Sequence, residues 1–143
     1  MAEVLTEARA AGYAHVQVHA LESLAIDAAL EGRIEEAGSL LSEAYSINRE
    51  LGDQFRDAVI VFRFARVLAL AGRLETAASV LAAGETLYRE MAASPMGWLQ
   101  RGNDQALGLI RKELDEAAIA EAFERGQALS ADEAVALALD VLD

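Results

Sequence analysis

A 40-residue period runs through this chain, and it constrains the fold more than any other feature of the sequence. Arg9, Arg49 and Arg89 follow it. The same spacing relates Gly12 to Gly52, Gly32 to Gly72, Arg33 to Arg73, and Ile34 to Leu74 and Leu114. A fixed period of about 20 to 50 residues is typical of stacked repeat arrays, in which each unit buries its apolar face against its neighbours. Such arrays present surfaces to partners, so we expect a binding protein and not an enzyme.

The composition indicates an ordered helical protein. Apolar residues make up 54% of the 143 residues, and there is one proline and no cysteine. The lack of cysteine excludes disulfides and thiol chemistry and favours a reducing, cytoplasmic location. No apolar run approaches the roughly 18 residues that span a bilayer. The first residues show no basic segment before an apolar one, so we expect neither a membrane partner nor a secretory signal.

The net charge of -12 is unevenly distributed along the chain. Residues 1–53 carry ten acids and three bases, or -7, and residues 113–143 carry nine acids and one base, or -8. Residues 54–112 carry five acids and eight bases, or +3. Tracking nucleic-acid phosphates needs a basic surface that the chain as a whole lacks, so no direct nucleic-acid binding is expected. The basic middle third would instead suit an acidic partner.

The spacing of apolar residues within each repeat unit predicts two antiparallel helices. Leu21, Leu24, Ala25 and Ala28 recur at the spacing of one helical face. Gly32 then suits the left-handed residue that commonly ends a helix, and a second apolar stripe follows. The expected fold class is all-α: a solenoid of antiparallel helix pairs, about seven helices in total, with a C-terminal capping helix.

The expected organisation is a single helical-repeat domain over residues 1–143. Its predicted parts are residues 1–12 as the end of an incomplete repeat, 13–52 as repeat 1, 53–93 as repeat 2, 94–102 as a loop, 103–126 as a degenerate repeat 3 closed by Gly126, and 127–143 as a capping helix. Pro95 and Trp98, each the only residue of its type, support the loop. Ser130 and Glu133 form a capping-box pattern before the last helix. A start within a repeat leaves an apolar edge, so we expect a longer array or a homodimer through that edge.

The placement of alanine, leucine and glycine resembles tetratricopeptide repeats, although their usual period is about 34 residues. A closer resemblance covers residues 60–140 and is carried by the runs Leu70–Ala77, Val80–Glu90, Leu109–Leu114, Ala122–Gly126 and Ala128–Val135. These runs resemble the tetratricopeptide-like C-terminal segment of large bacterial regulators, in which a signalling ATPase is fused to a LuxR-type DNA-binding or an adenylate-cyclase-type domain. Asp115 and Phe123 depart from the glycine and tryptophan common there. The resemblance implies a sensor or scaffold segment, without ATPase or DNA-binding activity.

The chain carries little that points to catalysis, metals or cofactors. Its only lysine, Lys112, lacks the glycine-rich lead-in of a nucleotide-binding loop. His15, His19 and Glu22 share a helical face, where two histidines one turn apart can hold zinc. Val16 stands where the general base of a metalloprotease would be, however. We therefore interpret the histidines as solvated or groove-lining and expect no metal, no cofactor and no catalytic residue.

The candidate site is the concave groove lined by the first helix of each pair. Its predicted residues lie off the packing stripes of two such helices: His19, Glu22, Ser23 and Ile26 in one, and Val59, Phe62, Arg63 and Arg66 in the next. Arg63 and Arg66 are one turn apart and could hold a carboxylate by paired hydrogen bonds. We expect a protein or peptide partner, possibly acidic, in a bacterial and transcriptional regulatory context. The alternative is a small-molecule effector pocket within the superhelix.

Overall fold

The computed structural model describes all 143 residues and contains eight helices and no strand. The helices are α1 (Ala2–Ala11), α2 (Ala14–Leu30), α3 (Ile34–Leu51), α4 (Gln54–Leu70), α5 (Leu74–Glu90), α6 (Gly97–Glu113), α7 (Glu116–Gln127) and α8 (Ala131–Leu142). The all-α class is therefore confirmed. None of the helices combines the length and apolar character needed to cross a membrane.

The first two helix pairs follow the 40-residue period closely. Helices α2 and α4 begin and end 40 residues apart, and so do the first residues of α3 and α5. The turn glycines match as well, since φ is 83° at Gly32 and 77° at Gly72. Gly12 and Gly52 have φ values of 73° and 71°. Glycine occupies this left-handed region without the steric penalty that a Cβ imposes, which explains its recurrence at helix ends.

The third helix pair is displaced by three residues from this period. Helix α6 begins at Gly97, which is 43 residues after Gln54, the first residue of α4. Ala92 occupies the position equivalent to Gly12 and Gly52 and keeps a positive φ of 52°. Four residues, 93–96, then lie between Ala92 and α6, whereas Tyr13 alone lies between Gly12 and α2. Leu114 consequently caps α6 at its end and is not structurally equivalent to Leu74, which begins α5.

Two boundaries predicted in this third unit differ from the structure. The predicted loop over residues 94–102 ends at Met96, so Trp98 lies in the first turn of α6. The predicted degenerate repeat 3, residues 103–126, is not one helix, because the extended backbone of Leu114 separates α6 from α7. Asp115 then caps α7 by accepting a hydrogen bond of 2.8 Å from the Ala118 amide. A carboxylate that satisfies a free amide at a helix start is a strong local signal for a new helix.

Gly126 lies inside α7 and does not end it, in contrast to the prediction. It allows a close approach to α5, because a Cβ at this position would overlap the carbonyl group of Ser79. The Ser79 hydroxyl donates a 2.8 Å hydrogen bond to the Ala122 carbonyl across the same contact. The helix pair α5–α7 therefore packs nearly backbone to backbone.

The last helix occupies an unexpected place. The predicted capping box of Ser130 and Glu133 is present at its start. Helix α8, however, packs against α3, α4 and α5 and makes no comparable contact with α7. Its C-terminal end rests on α3, where Leu142 contacts Gly38, and Tyr45 donates a hydrogen bond to Asp132 near its start. It thus lies along the middle of the structure and does not close the end of an array.

One contiguous apolar core joins the helices. Ala25, Ala37, Ala65 and Ala77 are completely buried in it, which allows close approach of the helices that carry them. At the N terminus, Leu5 and Ala8 are buried against α2, while Val4 remains 39% exposed. Helix α1 therefore has half of its apolar stripe covered by the chain itself, while Val4 and Ala11 stay exposed.

Candidate functional site

Helix α4 carries three arginines on one face, and we call them the arginine cluster: Arg56, Arg63 and Arg66. Their separations of seven and three residues place them on one side of an α-helix. Helices α2 and α6 pack on either side of α4. The cluster therefore lies where side chains from three helices meet.

A buried carboxylate from α2 lies beneath two of these arginines. Glu22 is 1% exposed. Its Oε2 accepts from Arg56 Nη1 at 3.2 Å and its Oε1 accepts from Arg63 Nε at 3.3 Å. Burial raises the pKa of Glu22, and the two guanidinium groups oppose that rise. One carboxylate thus balances two arginines, which leaves a net positive charge at this point.

Trp98 of α6 covers the other side of Arg63. The Arg63 guanidinium carbon lies 4.9 Å from the centre of the Trp98 ring. This is within the range of a cation–π interaction, in which the negative face of the ring attracts the cation. The ring remains 41% exposed, so it offers an apolar surface next to the cluster.

Arg66 differs from its two neighbours because it forms no ion pair within the chain. Its Nε donates a 2.9 Å hydrogen bond to Oε1 of Gln105, an uncharged acceptor on α6. Its stem lies over Gly102, where a Cβ would stand 3.4 Å from the Arg66 Cδ. Burial, and then the charge of Arg63, lower the pKa of Arg66. The positive charge of Arg66 is therefore not compensated by any carboxylate of the chain.

His19 joins the edge of the cluster on α2. Its Nε2 lies 2.9 Å from Arg56 Nη2. Burial, and then Arg56, lower the pKa of His19, which favours the neutral ring. A guanidinium group can only donate, so this nitrogen must act as the acceptor. No group of three or more histidine, aspartate or glutamate side chains is arranged to hold a metal ion.

The structure brings together some of the residues predicted to line the groove and separates others. His19, Glu22 and Arg63 meet at the arginine cluster, and Arg66 lies one turn away. Ser23 is partly buried on α2. The remaining three, Ile26, Val59 and Phe62, are 7%, 1% and 1% exposed and belong to the core. These three side chains offer no surface to a partner in this conformation.

Arg56, Trp98 and Gln105 complete the site, although the sequence analysis did not assign them to it. Arg56 could have been found from its position two turns before Arg63, on the same helical face. Trp98 was assigned to a loop because glycines surround it. Those glycines are part of α6.

Comparison with known proteins identifies no relative on which a function could be based. No protein-family model matches the sequence, and neither curated proteins nor solved structures show significant similarity. The function must therefore be inferred from the side chains of the site.

Proposed function

We propose that this chain is a non-catalytic protein-interaction module that holds an acidic segment of a partner against the arginine cluster. The observation that carries the proposal is the local charge imbalance. Of the three arginines, Arg56 and Arg63 share one buried carboxylate, Glu22, and Arg66 has no carboxylate partner. The chain as a whole is strongly acidic, with a net charge of -12. On an otherwise acidic protein, a basic site directs an acidic segment to that site, because the rest of the surface repels it.

The geometry suggests how a carboxylate would be held. Arg66 donates to Gln105 through Nε, so its terminal nitrogens are free to donate to an incoming carboxylate. The partial burial of Arg66 strengthens such a bond, since the local dielectric is lower than in water. The exposed ring of Trp98 would cover an apolar side chain of the same segment. Together they favour a segment in which an acidic residue neighbours an apolar one.

The wider context of this proposal comes from the sequence resemblance. The pairs α2–α3 and α4–α5, with α2, α4 and α6 side by side, are compatible with a tetratricopeptide-like solenoid. In that case the arginine cluster would lie on the face formed by the first helix of each pair. A sensor or scaffold segment of a bacterial transcriptional regulator would use this face to bind a partner.

The only tryptophan of the chain lies in the site, so its fluorescence tests the proposal directly. We expect titration with a peptide of alternating glutamate and leucine to change the Trp98 emission and to saturate. Apparent affinity should fall as salt rises, since exposed charges are screened over about 10 Å at 0.1 M. A matched peptide with glutamine in place of glutamate should not bind.

Variants separate this site from general charge effects. Arg66→Gln should weaken binding of the acidic peptide by about 1.5–3 kcal/mol, which is typical of a hydrogen bond to a charged group. Arg73→Gln removes the same charge from the exposed turn between α4 and α5 and should leave binding unchanged. Equal weakening by both variants, or no weakening by Arg66→Gln, would contradict the proposed site.

A further inference from the structure

A second candidate site, lined by none of the three arginines of the cluster, lies at the junction of α5 and α6. A cavity of about 270 Å³ is lined there by Glu85, Tyr88, Arg89, Ser94, Gln100 and Asn103, among others. Since one water molecule occupies about 30 Å³ of liquid, the cavity has room for roughly nine waters. We call it the junction pocket. Most of its lining residues are polar or charged, so it suits a small polar molecule.

The junction pocket arises from the three-residue displacement of the third helix pair. Four residues, 93–96, lie between Ala92 and α6, whereas a single residue, Asp53, lies between Gly52 and α4. Three residues of this longer connection, Ala93, Ser94 and Pro95, form part of the cavity wall. The connection starts from Ala92, whose positive φ of 52° is strained for a residue with a Cβ. The pocket thus lies where the chain departs from its 40-residue period.

The Asn103 side chain gives the clearest indication of a ligand in the pocket. It is only 6% exposed, and its amide makes no hydrogen bond within the chain. Its polar atoms are not sealed in the interior, since the only enclosed unpartnered side-chain atom is Oδ1 of Asn48. Buried amides normally have partners because an unsatisfied one is costly. The Asn103 amide therefore opens on the pocket and is available to a ligand.

Two opposite charges in the pocket form no ion pair with each other. Glu85 and Arg89 are four residues apart on α5, in the order that favours an ion pair on a helix. They nevertheless form none: Arg89 Nη2 donates instead to Thr86 Oγ1 at 3.2 Å. Burial also raises the pKa of Glu85, with Arg89 opposing the rise. Both charged groups are therefore open to a ligand that supplies the missing partners.

We propose that the junction pocket binds a small zwitterion of the free α-amino acid class. The ammonium group would pair with the Glu85 carboxylate and the carboxylate would pair with the Arg89 guanidinium. The Asn103 amide would form a hydrogen bond with the polar atom of the ligand that faces α6, and this bond would orient the ligand. Tyr88 would form a rigid wall, because its ring is packed against Phe55 and Phe62 at centroid distances of 5.2 and 5.1 Å.

Calorimetric titration of the full chain with each common L-amino acid tests the proposal, and acetate and methylammonium serve as probes of one charge each. We expect at least one amino acid to bind and neither single-charge probe to bind detectably. Glu85→Gln and Arg89→Gln should each weaken that binding by about tenfold or more, since each removes a charge-assisted hydrogen bond. Glu75→Gln and Arg73→Gln change the same charges at exposed positions near the start of α5 and should have no effect.

Three results would overturn the proposal: no amino acid binds at millimolar concentration, acetate binds as well as any amino acid, or Glu85→Gln binds like the unmodified chain. Amide chemical shifts of the unmodified chain give a readout that does not depend on the variants' folding. The bound amino acid should shift the amides of Ser94 and Asn103, and shifts elsewhere only would contradict the site. Arg66 does not line the pocket, so Arg66→Gln should not alter amino-acid binding and each of the two tests can fail without the other.

Discussion

Arg63 joins three helices through two contacts of one guanidinium group. Its Nε bonds Glu22 of α2 at 3.3 Å, and its central carbon lies 4.9 Å from the Trp98 ring of α6. A residue of this kind stabilises the packing of the helices as well as forming part of a binding surface. Tests of function at Arg63 must therefore be separated from tests of stability, which is why Arg66 is the better variant for binding.

Removing both arginines that pair with Glu22 should destabilise the chain at neutral pH. The double variant Arg56→Met and Arg63→Met leaves a buried carboxylate without a partner, which typically costs about 3 kcal/mol or more. Adding Glu22→Gln removes that unpaired charge and should restore most of the loss. Urea unfolding of the double and triple variants measures both effects.

The control for this prediction is Arg33→Met, since Arg33 forms exposed ion pairs with Glu31 and Glu36. Exposed pairs contribute little to stability, so this variant should unfold like the original chain. A triple variant no more stable than the double variant would show that Glu22 is not the source of the loss.

Glu85 should make stability depend on pH in a defined direction. Burial raises its pKa in the folded chain above the ordinary value of 4.5. The folded state therefore binds its proton more tightly than the unfolded state. The resulting stabilisation is fully present below about pH 4.5 and is lost as pH rises through the higher folded pKa.

The Glu85→Gln variant isolates this effect, because it lacks the titrating group while Glu22 and the other carboxylates titrate in both proteins. The free energy of unfolding of the original chain, relative to the variant, should decrease between acidic and neutral pH. Urea unfolding at a series of pH values measures the difference. A difference that stays constant or increases with pH would contradict the prediction.

Ala92→Gly should stabilise the chain. The positive φ of 52° at Ala92 is the conformation that glycine adopts at the equivalent position of the other units. A residue with a Cβ typically loses about 1–2 kcal/mol there, and the greater flexibility of unfolded glycine offsets part of the gain. We expect a net increase of roughly 0.5–1 kcal/mol in urea unfolding. Gly52→Ala should show the opposite sign, and a loss of stability in Ala92→Gly would count against the assigned backbone.

Gly126→Ala and Gly108→Ala form a matched pair on helices. The first introduces a Cβ that overlaps the Ser79 carbonyl, so it should push α5 and α7 apart at a cost of roughly 1–3 kcal/mol. The second adds a Cβ with no atom within 4 Å. It should stabilise α6 by about 0.8–1 kcal/mol, the difference in helix propensity. Thermal unfolding compares the two, and a shift of the same sign in both would contradict the packing of α7 on α5.

The sequence predicted most of the first two helix pairs because their signals are local. Gly32 and Gly72 mark turns by their own backbone preference, and the apolar spacing between turns depends only on the helical period. The third pair was less predictable, since Leu114 matches Leu74 in the period although it ends a helix. Gly102 and Gly126 suggested a loop and a helix end, but both lie inside helices. They allow close packing, because Arg66 lies over Gly102 and α5 lies against Gly126.

The candidate site was predictable only in part, for a similar reason. The charge and spacing of Arg63 and Arg66 can be read from the sequence. The burial of Glu22, and its sharing between Arg56 and Arg63, depend on how α2 packs against α4. Likewise, no local pattern distinguishes Phe62, which fills the core against Gly84, from its neighbour Arg63, which is only partly buried.

The position of α8 affects how the chain folds. In a simple repeat array each unit contacts only its neighbours, so unfolding can begin at one end and proceed in steps. Here Tyr45 bonds Asp132, 87 residues further along the chain, and α8 packs against α3, α4 and α5 together. Such distant contacts form only after a long loop has closed, which slows folding. Because α8 bridges both complete helix pairs, neither pair can unravel while it stays docked, and the molecule should melt as one cooperative unit.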